Sequence, residues 1–181
     1  QGQARALLEG INRFGKGPCH LVVPQCSRTR KAGGRGTWEA SDLDLLLKGL
    51  NSSLKFDSKR IYLTGNSMGG YGSWTWGGKS PKHFAAIAPV VGGIGPGGPK
   101  DVTPDLHQWA ANLAKVPVYA FAGANDRVVP AERSERMVNA IRKAGGKLAK
   151  IKVYQDQGHN AREVVYSSKE FYDWMFAQKR K

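Results

Sequence analysis

Apolar residues recur along this chain in two rhythms, one of helical and one of strand period, and the rhythm changes at glycine and proline. Over residues 4–11, Ala4, Leu7, Leu8 and Ile11 hold the i, i+3, i+4, i+7 spacing of one helix face, and Gly15 and Gly17 stop it. Residues 20–24, His-Leu-Val-Val-Pro, are short and β-branched, and a polar, glycine-rich stretch follows at 27–37. That combination predicts a buried strand entering a loop. Leu43, Leu46, Leu47, Leu50 and Leu54 then form a helical stripe, with Ser41 as its candidate cap. Residues 60–64 predict a compact strand, 65–70 a tight turn, and 71–76 the body of a helix ended by Gly77 and Gly78. The apolar run at 84–91 predicts a further buried strand. Residues 92–104 carry five glycines and three prolines, so an irregular, mobile surface loop is expected there. Residues 116–122 read as a strand. Pro130 stands where a first helical turn tolerates proline, and Ser134, Met137, Val138 and Ile141 give that helix its inner face, closed by Gly145 and Gly146. Ile151 and Val153 alternate with lysines, as in a strand nearer the sheet edge. Phe171, Trp174 and Met175 pack a final helix.

Strands that alternate with helices, several of them apolar throughout, imply an α/β fold: a mostly parallel sheet with helices on both faces. The 181 residues suffice for one domain with a sizeable core, and no internal repeat or linker divides residues 1–181. No apolar run is long enough to span a bilayer, so no membrane span is expected. The chain opens on Gln1 without a charged-then-apolar leader, and reads as processed or excised from something longer. Its net charge of +14 suits a polyanionic partner. The basic residues are scattered, however, and no recognition motif accompanies them, so no nucleic-acid partner is expected. Cys19 and Cys26 stand on either side of the strand read at 20–24 and are expected to be ordinary buried thiols. In an extended chain their Cα atoms would be roughly 23 Å apart, far beyond disulfide reach.

Gly65-Asn66-Ser67-Met68-Gly69 has the form G-x-S-x-G. The string alone is weak, arising by chance about 0.2 times in a chain with this many glycines and serines. Its setting is what gives it weight: a strand ends just before it and a helix starts just after, as a nucleophile elbow requires. A serine thrust out on so sharp a turn has a strained backbone, and the positions two before and two after it have little room for a β-carbon. A serine hydroxyl also needs a base within hydrogen-bond reach and a third group to orient that base. Of the four histidines, His159 follows the strand ending at Tyr154, at the carboxyl end where parallel sheets bind ligands, with His107 as the next candidate. Asp126 follows residues 116–122 at another carboxyl end, and Asp156 is its rival. The order Ser67, Asp126, His159 is that of α/β-hydrolases.

With these motifs the sequence resembles the α/β-hydrolase serine esterases, a group that includes polyhydroxybutyrate depolymerase-like, feruloyl and acetylxylan esterases and phospholipase/carboxylesterases. The likeness rests on four blocks: residues 60–72 around Ser67, residues 84–89 (Phe-Ala-Ala-Ile-Ala-Pro), Gly123 to Asp126 with Val128-Val129-Pro130, and Gly158-His159. The resemblance implies hydrolysis of carboxylic esters, small or polymer-linked, through an acyl-enzyme, with no metal and no organic cofactor. It implies Ser67 as nucleophile, His159 as general base, Asp126 as its orienting acid and the Met68 backbone N–H in the oxyanion hole. Secretion is compatible with the resemblance, and the sequence itself fixes no compartment. Trp38, after the glycine-rich stretch, is a candidate wall of the substrate pocket.

The chain departs from the family pattern in one respect. The second oxyanion donor of such enzymes comes from a His-Gly loop after an earlier strand, and neither is present here. That strand normally lies between the one read at 20–24 and the one leading into Ser67. The expectation is therefore an α/β-hydrolase domain lacking its amino-terminal strands, completed by an amino-terminal segment or a second polypeptide. Two other readings stay open: a serine peptidase of the same fold, and a non-catalytic basic binding module.

Overall fold

The computed structural model describes residues 2–26, 38–95, 98 and 100–181. Four strands, β1 (Tyr62–Asn66), β2 (Ala86–Val90), β3 (Val118–Gly123) and β4 (Ala149–Tyr154), lie side by side in chain order. All three pairings are parallel, with Tyr62 opposite Ala86, Ile87 opposite Val118 and Val118 opposite Ala149. Parallel neighbours need long crossovers, which the helices supply.

Because side chains alternate across a strand, each strand feeds two cores. On one face Leu63, Ile87, Val118, Ala120 and Ile151 meet α2 (Ala40–Ser53), α3 (Met68–Lys79), α4 (Leu106–Leu113) and α5 (Ala131–Lys143). On the other, Tyr62, Ala88, Val90, Tyr119 and Phe121 meet α1 (Gly2–Phe14), α6 (Arg162–Tyr166) and α7 (Lys169–Ala177). The result is the expected three-layer α/β arrangement. β2 and β3 are buried throughout, whereas Tyr62, Leu63 and Thr64 of β1 are only half-buried. Among the described residues β1 pairs with β2 alone, so its outer edge is free.

Several expectations are corrected. Residues 20–24 form no strand: Val22 and Val23 are 43% and 52% exposed, and no described strand lies alongside them. A β-branched run becomes a strand only where a partner offers its backbone groups. Leu8 also falls outside the α1 face, which buries Leu7 and packs Ile11 and Phe14. Ser41 lies inside α2, whose cap position is Glu39. Gly77 and Gly78 continue α3 rather than ending it, because a Cβ there would lie 2.6 Å from Ile87 Cδ1 and 2.5 Å from Trp109 Cγ. These two glycines bring the helix close to the sheet and to α4. The segment 92–104 is tied down where it is described: Ile94 is buried and bridges Val102. The cysteines, expected to be buried thiols, are exposed at Cys19 and half-buried at Cys26.

Candidate active site

The chemistry is concentrated at the carboxyl ends of β1, β3 and β4. β1 ends at Asn66 and α3 begins at Met68, which leaves Ser67 alone on the corner with φ 54° and ψ −111°. Positive φ is costly for a residue with a side chain, and the surroundings have to enforce it. They do so by close backbone approach. A Cβ on Gly65 would come within 2.4 Å of the Gly69 carbonyl, and one on Gly70 within 2.6 Å of Gly92 Cα. The Ser67 N–H donates to Val90 O at 3.0 Å, and its carbonyl accepts from the Tyr71 N–H at 3.0 Å. Val91, immediately after β2, is a second strained residue at φ 41°.

The three residues singled out by spacing meet here. Ser67 Oγ lies 2.7 Å from His159 Nε2, and His159 Nδ1 lies 2.8 Å from Asp126 Oδ2. The Asp126 side chain is fully buried, while that of His159 retains 30% of its exposure. Asp126 is further held through Oδ1, which accepts the backbone N–H groups of Val128 at 2.8 Å and Val129 at 2.9 Å. With Oδ1 so occupied, Oδ2 is left for the imidazole, which fixes the proton on Nδ1 and turns the Nε2 lone pair to the serine.

Neither rival is recruited. His107 is exposed on α4, and Asp156 is exposed in the turn before His159. Sequence reading passed over the groups that hold the histidine loop in place. A Cβ on Gly123 would strike the carbonyls of Gln157 and Gly158 at 2.5 Å. Asn125 clamps the same loop, its N–H donating to Gln157 O at 2.9 Å and its amide Nδ2 to Gln155 O at 2.9 Å. Gly123 and Asn125 stand just before Asp126 in the sequence, but only the fold shows what they touch.

Met68, 40% exposed, is the first residue of α3, and its N–H therefore has no acceptor within the helix. That N–H sits at the positive end of the helix dipole, a setting that favours an anion. Trp38 is half-buried against the same turn, with its indole N–H donating to Met68 O at 2.9 Å.

Residues 35–167 match the profile of the Dienelactone hydrolase family. The chain belongs to that family. Two curated relatives are named carboxymethylenebutenolidase. The one from Salmonella typhimurium is 34% identical over 109 residues, covering 57% of this chain and 37% of the relative. The one from Methylorubrum extorquens is 32% identical over 125 residues, covering 66% and 40%. This dienelactone hydrolase family chain thus spans about two fifths of the length of these relatives. Among solved structures, a thermostable esterase superposes with a TM-score of 0.66 at 29% identity, over 77% of this chain and 36% of that one. A dienelactone hydrolase from Klebsiella pneumoniae shares the fold, with a TM-score of 0.55 over 76% of this chain and 57% of its own, at 23% identity. The α/β-hydrolase esterase fold expected from the motifs is therefore the fold of this chain. No helix among the described residues is long and apolar enough to cross a membrane.

Proposed function

We propose that this chain carries the catalytic centre of a serine-dependent carboxylic ester hydrolase, with Ser67 as nucleophile, His159 as general base and Asp126 as the acid that orients it. The observation that carries this reading is the unbroken hydrogen-bonded series from Ser67 Oγ through His159 to buried Asp126, mounted on a strained strand-to-helix corner. Ser67 Oγ attacks the ester carbonyl as His159 Nε2 takes its proton, and the Met68 N–H donates to the oxyanion. The imidazolium returns that proton to the departing alkoxide, leaving acyl-Ser67. Water, deprotonated by the same imidazole, releases the acid and restores the serine. In a butenolide, the cyclic ester to which the relatives' names point, the same steps open the ring and the leaving oxygen stays attached to the acyl group.

One oxyanion donor is few for this chemistry, and the free edge of β1 lies beside it. We read that edge as the seat of one more parallel strand whose following loop brings a second donor to Ser67. An amino-terminal segment or a second polypeptide supplies it. The half-buried state of β1 beside fully buried β2 and β3 supports this reading, as does the greater length of the relatives.

The test is turnover of 4-nitrophenyl acetate and of an unsubstituted butenolide by the wild type and Ser67→Ala, with fluorophosphonate labelling followed by intact mass. Hydrolysis and labelling, both abolished by the substitution, are expected. Turnover that survives it, or a folded wild type that neither turns over nor is labelled, overturns the proposal.

A further inference from the structure

We propose that Trp38 is a positioning residue for oxyanion stabilisation: its indole pins the first turn of α3 so that the Met68 N–H stays aimed at the reacting carbonyl. The inference rests on the reading of Ser67 as nucleophile and extends it to a residue outside the elbow. Trp38 stands just ahead of α2, thirty positions from Met68 in the chain, yet its Nε1–H donates to the Met68 carbonyl at 2.9 Å. The ring lies on the same helix face one turn further on. A Cβ on Gly72 would come within 2.8 Å of Trp38 Cδ1 and 2.9 Å of Cγ, so Gly72 leaves the space the indole fills. Met68 O and Gly72 Cα together make a seat shaped for this side chain.

The seat matters because of what it brackets. The peptide unit carrying the Met68 N–H joins Ser67, at φ 54°, to the helix. Ahead of it the Ser67 N–H is held by Val90 O, and within it the Ser67 carbonyl accepts from the Tyr71 N–H. On its carboxyl side Met68 is 40% exposed. The Trp38 hydrogen bond adds a hold there, on the Met68 carbonyl. A donor kept in fixed orientation costs no reorganisation when charge develops on the substrate oxygen. A donor free to swing loses that advantage, and small misplacements near a reacting atom reduce rate disproportionately. This role differs from that of a pocket wall, the other use of a tryptophan at this place. A wall acts on substrate affinity, whereas a pin acts on the transition state.

Two variants separate them. Trp38→Phe keeps an aromatic ring and removes the N–H, and Gly72→Ala pushes an intact indole off its seat. In both, kcat on 4-nitrophenyl acetate is expected to fall about tenfold with KM within about twofold, and affinity for phenylboronic acid, which forms an anionic tetrahedral adduct, to fall by a similar factor. A KM rise with kcat preserved, or no change in either, overturns the proposal. A second measurement does not depend on turnover. In Ser67→Ala protein, adding Trp38→Phe is expected to speed hydrogen exchange of the Tyr71 amide, which bonds the carbonyl of that same peptide unit, about tenfold. Amides of β2 and β3 should stay protected, showing the fold intact. Unchanged Tyr71 exchange overturns the proposal. A wild type that hydrolyses no ester would instead refute the catalytic reading, and exchange would still decide the role of Trp38.

Discussion

Replacing Asp126 by asparagine tests the site at its least visible point, because the shape of the side chain hardly changes. Asp126 Oδ1 accepts two backbone N–H groups, from Val128 and Val129, and Oδ2 faces His159 Nδ1 at 2.8 Å. An asparagine has one acceptor and one donor end. Turning its NH2 toward Val128 and Val129 would set donor against two donors in a fully buried position, so the amide oxygen must take the Oδ1 place. The NH2 then points at His159, which can accept only with a bare Nδ1. The imidazole proton moves to Nε2, and the lone pair that should receive the Ser67 proton is gone. The analogous change in a serine protease triad costs kcat about 10⁴-fold, which corresponds to about 5 kcal/mol of transition-state stabilisation. We expect a loss of that order here, with the melting temperature little altered. The direct assay is the ¹⁵N shift of the His159 ring, which distinguishes the two tautomers, read beside kcat on a 4-nitrophenyl ester. A variant that keeps kcat within about tenfold of wild type, or keeps the proton on Nδ1, would refute the reasoning.

Three other outcomes follow from the packing. Gly70→Ala places a Cβ 2.6 Å from Gly92 Cα and Val90 O, backbone atoms that cannot swing away, and should cost about 2–3 kcal/mol, seen as a lower urea midpoint. An unchanged midpoint would contradict that close approach. Burial pushes the Tyr172 phenol up to about 12, and its hydroxyl donates to Tyr166 O at 2.8 Å. The folded state therefore keeps a proton that the unfolded chain loses near its ordinary value of 10.0, and stability should fall as pH rises from 10 to 12. Tyr172→Phe should flatten that slope in alkaline melts. Burial alone would raise the Asp44 carboxyl, but hydrogen bonds from Trp76 at 2.7 Å and Ser80 at 2.9 Å outweigh it and hold the group below its ordinary value. Its contribution is present above 3.8 and lost as pH falls through the lower folded value, so Asp44→Asn should flatten the acid limb of an unfolding titration.

The parts legible in the sequence were those whose local pattern and tertiary setting agree. β2 and β3 read as continuous apolar runs because both of their faces are covered, and α5 shows its inner face because the other is wet. Ser67, Asp126 and His159 stood out because each follows a strand, and carboxyl ends of parallel strands converge. The misses have the opposite character. α4 does carry helical spacing at Leu106, Trp109, Ala110 and Leu113, but the glycine and proline just before it masked the signal. α6 spans five residues, too few for any period to show. Gly77 and Gly78 look like a helix stop by propensity, and only their contacts with Ile87 and Trp109 explain why they are not. The roles of Gly123 and Asn125 are close approaches and hydrogen bonds to the distant segment 155–158, which leave no local trace.

The two margins of the sheet are not alike, and the difference bears on how these residues behave when concentrated. β4 carries Lys150 and Lys152, whose ammonium groups lie over the rings of Tyr119 and Tyr154. Charge of that kind discourages a stray strand from adding there. Among the described residues β1 has no such guard: its outer backbone rim pairs with no strand, and Tyr62 and Leu63 flank it. Left uncovered, that rim is the natural place for two copies to join edge to edge, so self-association of these 181 residues should grow with concentration, as sedimentation would show. Colloidal behaviour, in this chain, is a readout of which side of the sheet was built to be an interior.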